Sequence, residues 1–380
     1  MKRAYKFGGA VLAILALLFA LLQFLPARGR VPGQSAWRPN PGHRPLVIAH
    51  GGGQGLHPPN TLEAFDHAVA LGCDALETDL RLTKDDTLVT LHDETIDRTS
   101  DGSGRAIDFT LAELKARNFG FKFKDPAGAQ PYRDTPAHIA TLQELFQKYP
   151  NTPMVVELKD RGTNGARAAA NLNALIARYQ RTADVIVASF DDATLNEFRR
   201  LSGGNVFTAA AVKNTTAFVV LSRLHLDWFA PTGNQALQIP TTKRGYRLDF
   251  PALIRAAHRR NMAVHYWTIN EPEEMKRLIA LGADGIMTDR PDLLLKIMGE
   301  VRAKDGVMRG ASDMSGDLVP FLLQQIIRRG GHPDTNGHPA VHAEWRHMPT
   351  SFQTLVFVRG DRFIEIQSFL SHALTLCFGT

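Results

Sequence analysis

Short apolar segments alternate with helical segments through most of the chain, and this alternation constrains the fold more than any other feature. LVIAH at 46–50 reads as a buried strand, and TLEAFDHAVALG at 61–72 reads as a helix that ends at a glycine. Helices that separate parallel strands must cross over with the same hand. About eight such units in roughly 250 residues predict an α/β fold, a closed (β/α)8 TIM barrel. The other strands are predicted at 74–83, 87–93, 154–159, 185–190, 206–211, 262–269 and 284–289, and 227–248 is the least regular stretch.

The N-terminus predicts a membrane anchor. Residues 7–25, FGGAVLAILALLFALLQFL, contain no charged side chain. As a helix they span about 28 Å, close to the ~30 Å hydrocarbon core of a bilayer. A cleaved signal peptide is the alternative, but its apolar core is usually about 7–15 residues long and no small-residue cleavage site follows here. We therefore expect a single N-terminal transmembrane helix within residues 1–25, followed by a linker at 26–45 that is rich in Pro, Gly and Arg.

The net charge of +6 belongs to this N-terminal region. Seven Lys and Arg and no Asp or Glu lie in residues 1–45, and the remainder carries 37 Lys and Arg against 38 Asp and Glu. A neutral body argues against nucleic acid as a partner. The two cysteines, far apart in the chain, exclude a disulfide scaffold and a cysteine-based zinc module.

Polar side chains stand at the ends of predicted strands, where a TIM barrel places its chemistry. His50 ends the first strand, and His92 ends the run TLVTLHD. Two pairs, Glu77 with Asp79 and Glu157 with Lys159, are spaced two residues apart, so the members of each pair point to the same side. A buried salt bridge without function is one interpretation. Convergence of six such groups at neighbouring strand ends favours a catalytic site.

The residue types indicate the chemistry. Three carboxylates with few nitrogen ligands suit a hard, oxygen-seeking cation, Mg²⁺ or Ca²⁺, rather than zinc. Two histidines beside such a cation suit the roles of general acid and general base. A cation, a lysine and an acid–base pair together fit attack at a phosphoryl centre.

Five motifs follow one another along the chain: VIAHGGGQGLHPPNTLEAF, ALETDLRLTKDDTLVTLHDETIDRTSDGSG, MVVELK, HYWTIN and GADGIMTDRPDLL. In this order they resemble the glycerophosphodiester phosphodiesterase family over residues 46–298. The resemblance implies a (β/α)8 barrel that hydrolyses glycerophosphodiesters to glycerol 3-phosphate and an alcohol with a divalent cation. By motif, it implies an acid–base pair (His50, His92), metal ligands (Glu77, Asp79, Glu157), a phosphate-contacting lysine (Lys159) and an aromatic wall beside the glycerol (Trp267).

Two positions depart from the family pattern. Gly51 stands where the family usually has an arginine, so a guanidinium that clamps the phosphate at two points is missing. Pro59 stands where the family usually has a glutamate, directly before Asn60 and Thr61. Both departures bear on substrate range and rate more than on the class of reaction.

Alternatives remain open from the sequence. Phospholipase D-like hydrolysis of lysophospholipids would use the same residues and would need an apolar groove, which we expect in 212–248 near Trp228, Phe229 and Tyr246. A membrane-tethered barrel that binds phosphodiesters without catalysis is a third possibility. Three further residues have two interpretations each: His57 and His265 either line the site or are structural, and Asp289 either contacts substrate or caps a helix.

Residues 299–380 do not follow the barrel pattern. Three interpretations stay open for this region: a small appended subdomain, a disordered tail, or sequence outside the authentic reading frame. We assign it no function. The resemblance to anchored bacterial members of the family implies a single-pass membrane protein whose barrel is periplasmic.

Overall fold

The computed structural model describes residues 37–38, 44–230 and 233–299, together with two strands near the C-terminus. The chain divides into two compact units, residues 1–305 and 306–380. In the second unit, strands Thr354–Arg359 and Arg362–Gln367 pair as an antiparallel hairpin. The predicted domain boundaries at 25, 45 and 298 stay predictions.

The first unit contains a parallel barrel, as the sequence predicts. Its eight strands are β1 (Leu46–Ala49), β2 (Ala75–Leu82), β4 (Met154–Leu158), β5 (Val185–Ala188), β6 (Phe207–Thr208), β7 (Ala236–Ile239), β10 (Ala263–Tyr266) and β11 (Gly285–Thr288). They follow the spatial order β6-β5-β4-β2-β1-β11-β10-β7, and a parallel bridge between Ala209 and Ala236 links the two ends.

Helices cover the outside of the barrel. Thr61 and Thr141 begin two of them by accepting hydrogen bonds from the backbone three residues on, and at Thr141 the side chain of Glu144 completes a capping box. The helices are α1 (Leu62–Leu71), α2 (Leu111–Lys115), α3 (Leu142–Lys148), α4 (Gly162–Arg178), α5 (Asp192–Leu201), α6 (Val212–Arg223), α7 (Pro251–Arg259) and α8 (Pro272–Leu281), and residues 291–299 are also helical.

One predicted barrel strand is wrong, and another was missed. The run at 87–93 forms only β3 (Leu88–Thr90), which pairs antiparallel with β2 and lies outside the barrel. Only five residues separate β2 from β3, and a parallel crossover needs a dozen or more. The eighth barrel strand is β7, inside the stretch that looked irregular. After β7 comes an antiparallel hairpin of β8 (Thr242–Lys243) and β9 (Tyr246–Arg247).

The N-terminal end of the barrel is filled by a residue from the predicted linker. Trp37 is 1% exposed and belongs to the cluster that includes Ile48, Val155 and Ile186 from inside the barrel. His265 Nε2 donates a hydrogen bond to the Trp37 carbonyl oxygen over 2.9 Å. The predicted linker therefore supplies part of the barrel core.

The predicted transmembrane helix lies outside the described residues. Among the residues that the structure does describe, no helix combines the length and apolar character needed to cross a bilayer.

Trp37 gives a test of the barrel packing. We expect Trp37→Ala to lower the free energy of unfolding by about 3–5 kcal/mol, because it removes a large buried side chain and leaves a cavity. Urea denaturation followed by circular dichroism measures the change. Phe229→Ala is the matched control, since Phe229 is 66% exposed, and we expect it to change the stability by about 0.5 kcal/mol or less. Equal losses in the two variants would show that Trp37 does not fill the barrel.

Candidate active site

Two neighbouring barrel strands bring three carboxylates together. Glu77 and Asp79 alternate with outward residues on β2, and β4 runs beside it in parallel register, with Asp79 opposite Glu157. Glu77 and Asp79 are 3% and 2% exposed. The spacing of two residues and the parallel pairing therefore bring the three predicted metal-ligating residues to one patch inside the barrel mouth.

Lys159 joins this patch from the end of β4. Its Nζ lies 3.0 Å from Asp79 Oδ1 and 2.8 Å from Glu157 Oε1. Burial alone would lower the pKa of Lys159, but the charges of Asp79 and Glu157 outweigh burial and raise the pKa. Lys159 is therefore a fixed positive charge between two carboxylates.

His50 lies beside Glu77 at the end of β1. Its Nδ1 is 2.6 Å from Asp289 Oδ1, and its Nε2 is 3.9 Å from Glu77 Oε2. Asn270 Nδ2 donates a hydrogen bond to the other oxygen of Asp289 over 2.7 Å. The sequence leaves Asp289 as either a substrate contact or a helix cap. In the structure its carboxylate instead orients the imidazole of His50. The feature of the sequence that points to Asp289 as a site residue is its place at the end of the last predicted strand.

Gly51 contributes its backbone to the site. Its φ is +53°, in the left-handed region, and its N–H donates a hydrogen bond to Glu77 Oε2 over 2.8 Å. The position that lacks the family's arginine therefore still contacts the carboxylate cluster. A Cβ at Gly51 would approach Gln54 Oε1 no closer than 3.4 Å, so the space for a side chain exists.

Asn60 precedes β2 in the chain and forms hydrogen bonds with two side chains of that strand. Its Nδ2 donates to Asp79 Oδ2 over 3.1 Å, and its Oδ1 accepts from the Thr78 hydroxyl over 2.7 Å. Asn60 is 4% exposed and has a φ of +60°. In the sequence, Asn60 stands out only as part of the motif with Thr61, and its role in orienting a carboxylate becomes visible only in the structure.

The sequence predicts that His92 ends a barrel strand, but the structure places it on another element. It follows β3, which lies outside the barrel, and its side chain is 50% exposed. Its Nδ1 lies 2.7 Å from Asp93 Oδ1. Burial raises the pKa of Glu157, against the lowering effect of Lys159 and, to a smaller extent, of His92. His92 therefore lies at the open side of the mouth, near Glu157.

Burial and neighbouring charges shift the pKa values of Glu77 and His50. Burial and the charge of Asp79 raise the pKa of Glu77, against the opposing effect of His50 and the Gly51 N–H. Burial acts to lower the pKa of His50, but Glu77 and Asp289 raise it. Within the described residues, no group of three or more His, Cys, Asp or Glu side chains is arranged as a metal centre.

A cavity of about 790 Å³ opens from this cluster. Trp267 lines it, and its ring packs edge-on against Phe190 with centroids 5.9 Å apart. Tyr246 lines the same cavity, as expected from the sequence. Trp228 and Phe229 are not among its lining residues.

Neither His57 nor His265 lines this cavity, and each has a hydrogen-bond partner elsewhere. His57 Nδ1 is hydrogen-bonded to the Tyr132 hydroxyl at 2.6 Å, and its ring packs on His67. His265 is fully buried against Trp37, at the end of the barrel opposite the site.

The chain matches known proteins over this barrel. The family model for the glycerophosphoryl diester phosphodiesterase family matches residues 50–293. A glycerophosphodiester phosphodiesterase of Caldanaerobacter subterraneus is 29% identical over 67% of this chain and 97% of its own length. A lysophospholipase D, GDPD1, of Rattus norvegicus is 26% identical over 67% of this chain and 87% of its own.

A solved structure shows the same fold. A putative glycerophosphoryl diester phosphodiesterase of Silicibacter pomeroyi is 25% identical and superposes with a TM-score of 0.56, covering 70% of this chain and 96% of its own. The matched region contains the carboxylates of β2 and β4, Lys159 and both histidines of the mouth. The chain belongs to the glycerophosphoryl diester phosphodiesterase family of enzymes.

Proposed function

We propose that the chain hydrolyses glycerophosphodiesters to glycerol 3-phosphate and an alcohol with the aid of a divalent cation. Its membership of the family confirms the prediction of a phosphoric diester hydrolase. The observation that supports the proposal is the mouth itself, where His50 with Asp289, Lys159, two buried carboxylates and the partly buried Glu157 converge. This constellation matches the needs of phosphoryl transfer, which are positioning and charge stabilisation.

The chemistry of three carboxylates on adjacent strands fits a hard cation, although in this structure Asp79 and Glu157 are paired with Lys159. Glu77 and Asp79 are almost fully buried, and the three carboxylates outnumber the one lysine, which pairs with Asp79 and Glu157. Oxygen ligands of this kind suit Mg²⁺ or Ca²⁺. Glu77, Asp79 and Glu157 would hold the cation, which would polarise a phosphate oxygen as a Lewis acid.

The remaining residues supply binding and proton transfer. Lys159 would contact the phosphate as a point charge, without the two-point contact of the arginine absent at Gly51. Asp289 and Asp93 each hold the Nδ1 of a histidine, so Nε2 is the atom of His50 and of His92 that exchanges protons. One histidine deprotonates the attacking water or substrate hydroxyl, and the other protonates the leaving alcohol. Trp267 would pack against the glycerol moiety.

The direct test follows release of glycerol 3-phosphate from glycerophosphocholine by the detergent-solubilised full chain. Release should stop with EDTA and return with Mg²⁺ or Ca²⁺, whichever is the working cation. Metal-independent release, or none from the folded chain with either cation, would contradict the proposal. The second result would favour the catalytically disabled, phosphodiester-binding barrel.

A lysophospholipid is the second candidate substrate, and it is the substrate class that the name of the rat relative implies for that protein. It differs from a glycerophosphodiester by one acyl chain on the glycerol, so the catalytic residues do not distinguish the two. The observation that favours it is the apolar lining of the cavity beside Trp267, which includes Val220, Leu224 and Leu248.

We also propose that residues 1–25 anchor the chain in a membrane and that the barrel is periplasmic. Support comes from the uncharged length of residues 7–25 alone. Resistance to carbonate extraction, with the barrel accessible to protease from the periplasmic side, is the expected result. A chain that is released by carbonate would contradict the anchor.

Glu157 tests the metal assignment. We expect Glu157→Gln to lower kcat/KM for glycerophosphocholine about 10²–10³-fold, because it removes one anionic oxygen ligand. Isothermal titration with Mg²⁺ or Ca²⁺ should show weaker binding. Glu197→Gln is the matched control, since Glu197 lies on the outer helix α5 and pairs with Arg200. Unchanged cation affinity in Glu157→Gln would remove this residue from the metal site.

Asp289 tests the role of His50. We expect Asp289→Asn to lower kcat about 10²–10⁴-fold with a small change in KM, because the amide no longer fixes the imidazole in its tautomer and orientation. Steady-state kinetics measures both constants. Asp292→Asn is the control, since Asp292 pairs with Arg290 outside the site. A change confined to KM would assign Asp289 to substrate binding instead.

A further inference from the structure

The exposed apolar side chains of the barrel are concentrated at one place. Among the described residues, seven large hydrophobic side chains are exposed, and five of these line the cavity of about 790 Å³ at the mouth: Phe190, Val212, Val220, Leu224 and Tyr246. Their exposed fractions run from 40% for Val212 to 70% for Tyr246. Exposed apolar side chains that gather in one patch, rather than being scattered singly, mark a surface that contacts an apolar partner.

One side of this patch is a stripe of side chains on α6. Val212, Thr216, Val220 and Leu224 follow at intervals of four residues and therefore share one face, and all four line the cavity. A helix on the outside of a barrel normally turns its apolar face to the core. In α6, Phe218 does this and is buried in the barrel packing. The α6 stripe is therefore additional to the face by which the helix packs on the barrel.

The other side of the patch is the β8–β9 hairpin, whose residues 242–247 are all exposed. Tyr246 lines the cavity together with Lys243 and Arg244. A tyrosine ring lies readily at the headgroup level of a bilayer, and long basic side chains reach the headgroups while their stems contact apolar surface. The composition of the hairpin is therefore typical of a segment that contacts a membrane surface.

The stripe and the hairpin carry positive charge only. Residues 212–226 and 240–248 contain five Lys and Arg and no Asp or Glu, whereas the rest of 46–380 contains 32 Lys and Arg against 38 Asp and Glu. Arg247 pairs with the buried Asp249, but Lys243 and Arg244 have no ion-pair partner within the part of the chain that the structure describes. Concentrated positive charge on a chain whose remainder is negative favours an anionic partner.

The neighbouring surface at the mouth has a different character. A second cavity, of about 580 Å³, also includes Lys159. Its charged lining carries both signs and includes Arg81, Arg105, Arg161, Glu94, Asp160 and Asp191. Arg81 Nη1 and Asp160 Oδ1 form an ion pair at 3.2 Å. The combination of exposed apolar and basic side chains thus belongs to the α6 side of the mouth.

From these observations we propose that the α6 stripe and the β8–β9 hairpin dock on the surface of a bilayer that contains anionic phospholipids, with the mouth turned to the headgroups. The apolar side chains enter the boundary between headgroups and acyl chains, and the basic side chains contact the anionic headgroups. A second copy of the chain is a poorer occupant, because two such patches would repel each other. This surface is separate from the proposed anchor at 1–25, and it does not depend on which substrate is hydrolysed.

The anchor and the mouth can reach the same bilayer. Trp37 lies at the N-terminal end of the barrel, whereas the mouth opens at the C-terminal ends of the strands. Residues 26–36 span up to about 36–40 Å when extended. The longest barrel strand, β2, has eight residues and is about 26 Å long. An anchor before residue 26 is therefore compatible with docking of the mouth.

The experiment uses the full chain, reconstituted into vesicles of phosphatidylcholine alone or of phosphatidylcholine with phosphatidylglycerol. A nitrobenzoxadiazole dye is attached at Tyr246→Cys or at Leu224→Cys, in a chain whose Cys73 and Cys377 are changed to alanine. In the anionic vesicles we expect the dye emission to shift to shorter wavelength and to be quenched by nitroxide-labelled lipids. Both effects should weaken in phosphatidylcholine alone and at high salt, because salt screens the electrostatic part of the binding.

Val69→Cys is the matched control for the labelled positions. Val69 is an exposed valine on α1 and lines neither cavity. The strands that precede α1 and α6 are four apart in the ring of eight, so the two helices lie on opposite sides of the barrel. A dye at this position should keep the emission of an aqueous environment in every vesicle. Quenching at Val69→Cys equal to that at Tyr246→Cys would overturn the proposal.

The charges of the hairpin test the docking while the apolar surface stays the same. With the dye at Leu224→Cys, we expect Lys243→Gln combined with Arg244→Gln to lower the ratio of docked to undocked chain in anionic vesicles by up to about 25-fold, since each basic side chain near such a surface contributes roughly a fivefold gain. Lys84→Gln combined with Arg178→Gln is the control, because both side chains are exposed and line neither cavity. An equal effect of the two pairs would overturn the role of the hairpin.

The dependence on vesicle charge separates bilayer docking from other occupants of the patch. A lipid acyl chain lodged in the cavity would quench the dye at Leu224→Cys equally in both kinds of vesicle. A second copy of the chain would shift the emission but leave it insensitive to nitroxide-labelled lipids. Either result would overturn the docking.

Hydrogen exchange of the unlabelled full chain gives an independent measurement. We expect residues 240–248 to exchange more slowly in nanodiscs that contain phosphatidylglycerol than in nanodiscs of phosphatidylcholine alone, with α1 unchanged. Equal exchange of residues 240–248 in the two would contradict the docking. Neither measurement requires hydrolysis, so a chain that docks without releasing glycerol 3-phosphate would refute the proposed function and leave the docking surface in place.

Discussion

Three carboxylates on two adjacent strands, two of which pair with one lysine, are the constraint on which the rest of the mouth depends. Asp79 and Glu157 are direct neighbours in the β2–β4 register, and Lys159 lies between them. Like charges this close and this buried raise the free energy of the folded chain unless cations and hydrogen bonds offset them. Asn60, the Gly51 N–H and His50 supply those contacts. A barrel that only needed to fold would carry apolar residues at these strand positions.

The residues that contact the carboxylate cluster lie mainly in the segments that connect the barrel strands, not within the strands. The left-handed backbone at Gly51 turns the chain so that its N–H reaches Glu77. The antiparallel β3 carries the chain to His92, which stands at the open side. Asp289 arrives from the last strand of the barrel and meets His50 from the first, because β11 and β1 are paired. The pairing of β1 with β11 therefore assembles the His–Asp pair.

The region around α6 gives the mouth its asymmetry. Its apolar stripe lies along one side of the reacting groups, and arginine and aspartate side chains lie on the other. Exposed apolar surface beside a catalytic site is typical of a binding groove for an apolar ligand.

The sequence by itself determined the fold class and the chemical types at the mouth. Strand–helix alternation is a local pattern, and the spacing of two between Glu77 and Asp79 fixes their common side without any knowledge of partners. The direction of β3, the strand at β7 and the burial of Trp37 were decided only by tertiary structure, because each depends on pairing or packing with residues far away in the chain. The same holds for Asp289, whose partner His50 is 239 residues away. Long-range contacts of this kind leave no periodic signal in the sequence, so only the closed barrel reveals them.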